Sequence, residues 1–128
     1  MEYEELKGFM PLAQIVEALD DNGDGTADAD AWTEVLKAAD ERVGDAFGGA
    51  VPDELADSVG YARKVFCVEI LFTRRGFSGD RNPFSSRAKD QESRLRKLAS
   101  GEDNAAANEG GSYVGTVAKI SGTSGMII

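Results

Sequence analysis

The chain has 128 residues, with 14 Lys or Arg, 23 Asp or Glu, a formal net charge of −9 and no histidine. The absence of histidine excludes His-based acid–base catalysis, Ser–His and Cys–His nucleophile pairs, and His-ligated zinc or haem. The single cysteine, Cys67, cannot form an internal disulfide, and no apolar run reaches the roughly 18 residues of a membrane span. The acidic start lacks the order of a secretory signal. These features predict a soluble, cytoplasmic domain without disulfides.

Charge is divided unevenly along the chain. Residues 1–60 carry 16 acidic and 3 basic side chains, residues 61–100 carry 4 and 10, and residues 101–128 carry 3 and 1. The three blocks therefore have net charges of −13, +6 and −2. Two surfaces of opposite sign would let the chain stack on copies of itself or bridge two partners. A fold that interleaves the blocks would instead neutralise them internally.

Two amphipathic helices are predicted in the acidic half. The first runs from Pro11 to Leu19, with apolar residues at i, i+3, i+4 and i+7, and begins with a proline in the turn that tolerates one. The second begins near Asp28, a residue type that caps helix N-termini, and ends at Gly48-Gly49. Its apolar stripe consists of Trp32, Val35, Leu36, Ala39, Val43 and Phe47.

Two more helices are predicted from Pro52 onward, and they cover most of the basic block. The third begins at Pro52, runs to about Arg75 and is the most apolar of the four, which predicts a central position. Gly60 inside it costs about 1 kcal/mol relative to Ala and predicts a close helix crossing. The fourth begins at Pro83 and ends near Gly101. The predicted fold class is all-α, a small four-helix bundle-like domain over residues 1–103.

Residues 104–128 differ in composition from the helical domain. Gly, Asn, Ala and acidic residues predict a flexible linker, and residues 113–120 have strand-like composition. A lone strand needs a neighbour, so the segment either adds to a partner's sheet or is a disordered tail. Under the first interpretation the arm binds a partner through its apolar and aromatic residues, namely Tyr113, Val114, Val117, Ile120, Met126, Ile127 and Ile128.

The loop between the first two helices contains the first half of a calcium-loop pattern. Oxygen ligands would come from loop positions 1, 3, 5, 7 and 9, which are Asp20, Asn22, Asp24, the Thr26 carbonyl and Asp28. Position 12, where a bidentate Glu is expected, is Ala31. The pattern therefore predicts one of two structures: a weak calcium site, or a metal-free Asx turn that connects the two helices.

The basic block offers a second candidate surface. Arg87, Arg94, Arg96 and Lys97 lie on the fourth helix and could contact phosphates or an acidic protein, or only keep the chain soluble. The sequence shows no aromatic residues interleaved with these charges and no recognisable reading helix, which disfavours nucleic-acid binding. Pairs such as Glu92–Arg96 predict salt bridges four positions apart. Cys67 is predicted to be a buried, inert thiol rather than a nucleophile.

The order of these features resembles the Mu-like tailed-phage head-to-tail connector (adaptor) family over roughly residues 9–103. The most specific piece is the Asp/Gly loop between two helices. The pieces that carry the resemblance are Leu19-Asp20, the loop through Gly25, the helix Ala31 to Asp40, Val51-Pro52, the long helix Tyr61 to Arg74, and the charged helix that ends in Leu95 to Glu102.

The resemblance implies a non-enzymatic virion protein. Such adaptors form a ring, dodecameric like the portal, that binds the portal protein, receives stopper or tail-completion proteins, and passes genomic DNA without reading its sequence. The protein would be made in the bacterial host cytoplasm, would reside at the head–tail interface, and would need no cofactor and no membrane. The alternatives are a calcium-responsive module of EF-hand or dockerin type and a small nucleic-acid-binding protein.

Overall fold

The four amphipathic stretches fold as α-helices in the computed structural model, which describes residues 1–101. They are α1 (Leu12–Leu19), α2 (Ala29–Phe47), α3 (Ala56–Arg74) and α4 (Ser85–Ser100), with 3₁₀ turns at Tyr3–Leu6, Asp53–Leu55 and Gly79–Arg81. The described part contains no strand, so the all-α fold class is confirmed. The arm predicted for residues 104–128, with its β-prone segment, lies outside the described residues. None of the helices described is both long and apolar enough to cross a bilayer.

The predicted helix ends follow the local chemistry in most cases. Pro11 directly precedes α1, and α2 ends at Gly48, whose φ of 85° is left-handed and whose N–H donates to the Gly44 carbonyl at 2.8 Å. Asp28 directly precedes α2, but its side chain does not cap the helix. The third helix starts later than predicted, because the residues after Pro52 form a 3₁₀ turn first.

α3 supplies the largest share of the core. It packs against both α1 and α2, which confirms its predicted central position. Its buried side chains belong to a broad apolar face, and each large one contributes about 1.5–3 kcal/mol when fully buried. They are Val59, Ala62, Val65, Phe66, Cys67, Val68 and Leu71.

Gly60 does not mark a close helix crossing, and that prediction is wrong. A Cβ built at this position would have no described atom within 4 Å beyond its neighbours and its own helix backbone. The residue is only half-buried. The glycine therefore weakens the helix without allowing a closer approach of another element.

The N-terminal segment covers part of the core, which no pattern in the sequence predicted. Leu6 and Met10 are buried, at 0% and 1% exposure. The indole Nε1 of Trp32 donates to the Met1 carbonyl at 3.2 Å, and the ring of Tyr3 lies edge-on to Trp32 at 6.0 Å. The segment folds as a short 3₁₀ turn, too short to show a helical period in the sequence.

The junction between α3 and α4 is fixed by Asn82, the one buried polar residue among those described. Its Nδ2 donates to the Glu69 carbonyl at 2.9 Å and to the Thr73 hydroxyl at 3.2 Å. Its Oδ1 accepts the Phe84 N–H at 2.9 Å. One amide thus ties the last turns of α3 to the start of α4.

Residues 1–93 form one compact unit, and a second unit begins at Arg94. The described part of the second unit is the last half of α4 and Gly101. Within it, Leu95 and Leu98 are buried, whereas Arg96 and Lys97 are exposed.

Candidate functional site

The Asp-rich loop between α1 and α2 is closed by its first aspartate. Both carboxylate oxygens of Asp20 accept backbone N–H groups: Oδ1 from Gly23 at 2.8 Å and Asp24 at 3.1 Å, and Oδ2 from Gly25 at 2.8 Å. Gly23 and Gly25 have φ values of 78° and 83°, which favour glycine. The pattern of residue types therefore corresponds to an Asx-type turn built around one carboxylate.

The other side chains predicted as ligands are also used within the loop. Asp24 Oδ1 accepts from the Thr26 N–H at 3.0 Å and from the Thr26 hydroxyl at 2.8 Å, and the backbone bond is the largest influence that lowers the pKa of Asp24. Asn22 Oδ1 accepts the Asp24 N–H at 3.2 Å. Asp28 accepts from the Asp21 N–H at 2.7 Å and from the Asn22 amide at 3.1 Å. The structure thus brings the five predicted residues together.

A cation would have to compete with these hydrogen bonds. Position 12 of the loop is Ala31, which is buried and offers no side-chain oxygen. Within residues 1–101 no group of three or more Cys, Asp or Glu side chains is arranged to hold a metal ion. The donor set therefore fits calcium poorly, and the calcium site stays a prediction.

A pocket of about 430 Å³ lies beside the loop. Its lining includes the carboxylates of Asp21, Asp28, Asp30 and Glu34, together with Asn22 and two alanines. Asp30 and Glu34 are exposed residues of α2. The pocket is thus acidic and continuous with the outer face of that helix.

The arginines at the end of α3 are engaged with the first helix and its loop. Arg74 Nε donates to the Ala18 carbonyl at 2.8 Å, and its Nη2 pairs with Asp21. Arg75 Nε donates to Glu17 at 2.8 Å. These contacts satisfy a carbonyl at the C-terminus of α1 and place positive charge there, which the helix dipole favours.

Two further arginines join α2 to the following helices. Arg63 on α3 makes a bidentate pair with Asp40 at 2.6 and 3.1 Å, and this pair raises the pKa of Arg63. Arg42 on α2 pairs with Glu69 on α3 and donates to Glu92 on α4 at 2.9 Å, with its guanidinium 4.5 Å above the Phe66 ring.

Burial lowers the pKa of Arg42, but its hydrogen bonds to Glu69 and Glu92 outweigh this and raise it. The predicted Glu92–Arg96 pair does not form, because Glu92 turns toward Arg42 instead. Arg42 thus connects α2 to both α3 and α4.

The predicted basic residues of α4 do not share one face. Positions 87 and 94 are seven apart and fall on nearly the same line of the helix, whereas position 96 lies about 180° from position 87. Arg87, Arg96 and Lys97 are exposed, and Arg94 is half-buried. The guanidinium of Arg87 lies 4.8 Å above the ring of Phe84.

Aromatic residues that are scattered along the sequence meet in a row, which no spacing in the sequence predicted. Consecutive ring centroids are 5.9, 6.1, 5.8 and 6.2 Å apart. In order, the aromatic row is Tyr61, Phe9, Phe84, Phe72 and Phe77.

Both ends of the aromatic row are open to solvent. Tyr61 is 46% exposed and Phe77 is 37% exposed. Arginines lie on two of the rings: Arg87 on Phe84 and, at 5.6 Å, Arg75 on Phe77. Phe77 and Phe84 are therefore interleaved with arginines in space, and they also lie between Arg75, Arg81 and Arg87 in the sequence. This corrects the interpretation that aromatic residues are not interleaved with the basic ones.

Cys67 has no features of a nucleophile. It is buried in α3, and burial raises the pKa of its thiol to about 12. A reactive cysteine needs a lowered pKa and access to solvent. This environment agrees with the prediction of a buried, inert thiol.

The seven residues predicted to bind a partner in the arm, from Tyr113 to Ile128, lie outside the described residues. Comparison of the chain with family models, with curated proteins and with solved structures gave no match. The connection to the connector family therefore depends on the resemblance in the order of sequence features.

Proposed function

We propose that the chain is a non-enzymatic virion assembly protein, a head-to-tail connector subunit that forms a ring on the portal of a tailed phage. The observation that carries the proposal is the order of elements: a short helix, a closed Asp/Gly turn, an amphipathic helix, a long central helix and a charged helix. This is the order on which the resemblance to the connector family depends.

The chemistry of the described residues supports a binding role. Cys67 is buried with a raised pKa, and the Asp-loop carboxylates accept hydrogen bonds from their own backbone. The aromatic row, by contrast, has an exposed ring at each end and contains residue types that are enriched in protein interfaces.

In this proposal the arm of residues 104–128 docks on the portal protein. Its apolar residues from Tyr113 to Ile128 supply the contact, and Arg87, Arg94, Arg96 and Lys97 supply positive charge toward neighbouring subunits or the tail-side partner. The ring, proposed to be dodecameric, passes genomic DNA without reading its sequence. The protein is made in the host cytoplasm and resides at the head–tail interface, where it connects to stopper or tail-completion proteins.

The test is assembly with the portal protein of the same genome. We expect negative-stain microscopy of the mixture to show rings of the chain beneath portal particles. A variant that lacks residues 105–128 should keep the helical circular dichroism spectrum and lose portal binding. Portals that stay bare when mixed with the full-length chain would contradict the proposed function.

A further inference from the structure

The outer face of α2 carries an acidic stripe that is interrupted by one basic residue, the exposed Lys37. Asp30, Glu34, Glu41 and Asp45 are exposed and lie within about 60° of one another around the helix axis. Within residues 1–101 none of these carboxylates takes part in an ion pair. The like-charge pairs Asp30–Glu34 and Glu41–Asp45 are four positions apart and weaken a helix by about 0.2–0.5 kcal/mol per pair. Lys37, three positions after Glu34 and four before Glu41, offsets part of this repulsion.

Basic residues lie close in sequence to members of the aromatic row. Lys64 follows Tyr61 by three positions on α3, and Arg81 and Arg87 flank Phe84 in sequence. No described residue forms an ion pair with these three basic side chains. The aromatic row has an exposed ring at each end, arginines on Phe77 and on the buried Phe84, and basic residues close by. Aromatic residues and arginines are the types enriched in protein–protein hot spots.

We propose that the aromatic row of one copy binds the acidic stripe of a second copy. This inference rests on the assembly function proposed above and names the surfaces that carry it. The charges are complementary, with Arg87 and its neighbours facing carboxylates that lack partners within the described chain.

The packing of the rings disfavours a single-stranded nucleic acid as the occupant. Bases bind by stacking on open ring faces. Here Phe72 stacks on Phe84 at an interplanar angle of 20°, and Arg87 lies over Phe84, which is only 7% exposed. Glu17 also forms an ion pair with Arg75 at the end of the aromatic row and neutralises its charge. These features favour an acidic helix over a phosphate backbone.

Because the two surfaces differ, the contact is heterologous. Each copy then offers one aromatic row and one acidic stripe, and copies add head to tail into a ring or an open chain. An aromatic row that paired with another aromatic row would instead give a closed dimer. A mixture of variants can therefore distinguish the row-to-stripe contact from the row-to-row contact.

The experiment uses two full-length variants. The row variant is Tyr61→Ala with Arg87→Glu, and the stripe variant is Glu34→Lys with Glu41→Lys, all at exposed positions. We expect the wild type to self-associate in sedimentation velocity, and each variant alone to associate at least about tenfold more weakly, as the loss of a hot spot implies. An equimolar mixture of the two should form a dimer and nothing larger, because only one intact row and one intact stripe meet.

Control variants change exposed residues that belong to neither surface. Leu12→Ala and Glu54→Lys should associate like the wild type, and circular dichroism should show that all variants are folded. A wild type that is monomeric at every concentration, or a mixture that stays monomeric, would overturn the inference. Loss of single-stranded DNA binding in the row variant, with unchanged self-association, would overturn it in favour of nucleic acid. If the row variant still forms rings beneath portal particles, the inferred contact between copies is refuted and the proposed function stands.

Discussion

Asn82 offers a test of the fold. Its buried side-chain amide makes two hydrogen bonds to α3 and accepts a third from the backbone N–H directly before α4. We consider Asn82→Asp, which keeps the shape and exchanges the Nδ2 donor for an oxygen. That oxygen would face the Glu69 carbonyl, which now lies 2.9 Å from the amide nitrogen. The backbone of residue 82 is already extended, at φ −87° and ψ 116°, as the following Pro83 requires. The substitution therefore acts through the side chain alone.

The expected magnitude follows from burial. Asn82 is 4% exposed, so its lost hydrogen bonds cost about 1–3 kcal/mol, and an ionised carboxylate that faces a carbonyl adds to this cost. We therefore expect Asn82→Asp to lower the free energy of unfolding by at least about 2 kcal/mol at pH 7. For a domain of this size the loss corresponds to a fall in Tm of at least about 8 °C.

The loss of stability in Asn82→Asp should depend on pH, and it should grow as the pH rises. In the folded Asn82→Asp variant, burial and the facing carbonyl raise the pKa of the introduced carboxyl group above that of an unfolded aspartate. Protonation restores a donor to the Glu69 carbonyl, so stability is kept at about pH 4 and lost as the pH rises toward 7. Thermal unfolding of wild type, Asn82→Asp and Asn82→Ala at both pH values measures this, with Ser86→Asp as a control that adds the same charge at an exposed site. Equal stability of wild type and Asn82→Asp at pH 7, or a deficit that ignores pH, would refute the reasoning.

Three further predictions concern positions that are independent of Asn82. Gly60→Ala should raise the free energy of unfolding by about 0.5–1 kcal/mol in urea titration, because the added methyl meets open space; a loss would mean that the helix is crowded there. Cys67, with its pKa raised from 9.0 to about 12, should resist thiol reagents in the native state, and stability should fall as the pH rises above 9 unless Cys67→Ala removes the thiol. Calcium should leave Tm unchanged, because backbone N–H groups already occupy Asp20, whereas Asp20→Asn should lower Tm; a rise in Tm with calcium would support the metal site.

Long periodic segments are the part of the fold that the sequence predicts well. The second helix shows its apolar stripe over about four turns, and its end at Gly48 follows from a position that needs a left-handed residue. The central position of α3 follows from its apolar breadth. The N-terminal 3₁₀ turn was missed because four residues are too few to display a period. Leu6 and Met10 therefore could not be recognised as core residues.

Contacts between distant residues explain the other differences. Glu92 has a basic residue four positions later, which predicts a helical pair, yet Arg42 reaches it from another helix and also binds Glu69. The aromatic row joins positions from 9 to 84, and no spacing in the sequence links them. For the five predicted ligands of the Asp loop, by contrast, the side-chain hydrogen-bond partners lie within eight residues of one another. The residue pattern therefore identified both the turn and the alternatives for its chemistry.

The five ion pairs found among residues 1–101 explain how a chain with such divided charge can fold and still present charged surfaces. Each pair joins a residue of the block 1–60 to a residue of the block 61–100. The partly buried triad of Arg42, with exposures of 17% to 26%, is screened weakly by salt, whereas the exposed acidic stripe of α2 is screened strongly. Charge is thus neutralised where the helices meet and retained on the outside. Salt should accordingly weaken the proposed contact between copies much more than it lowers the stability of each copy.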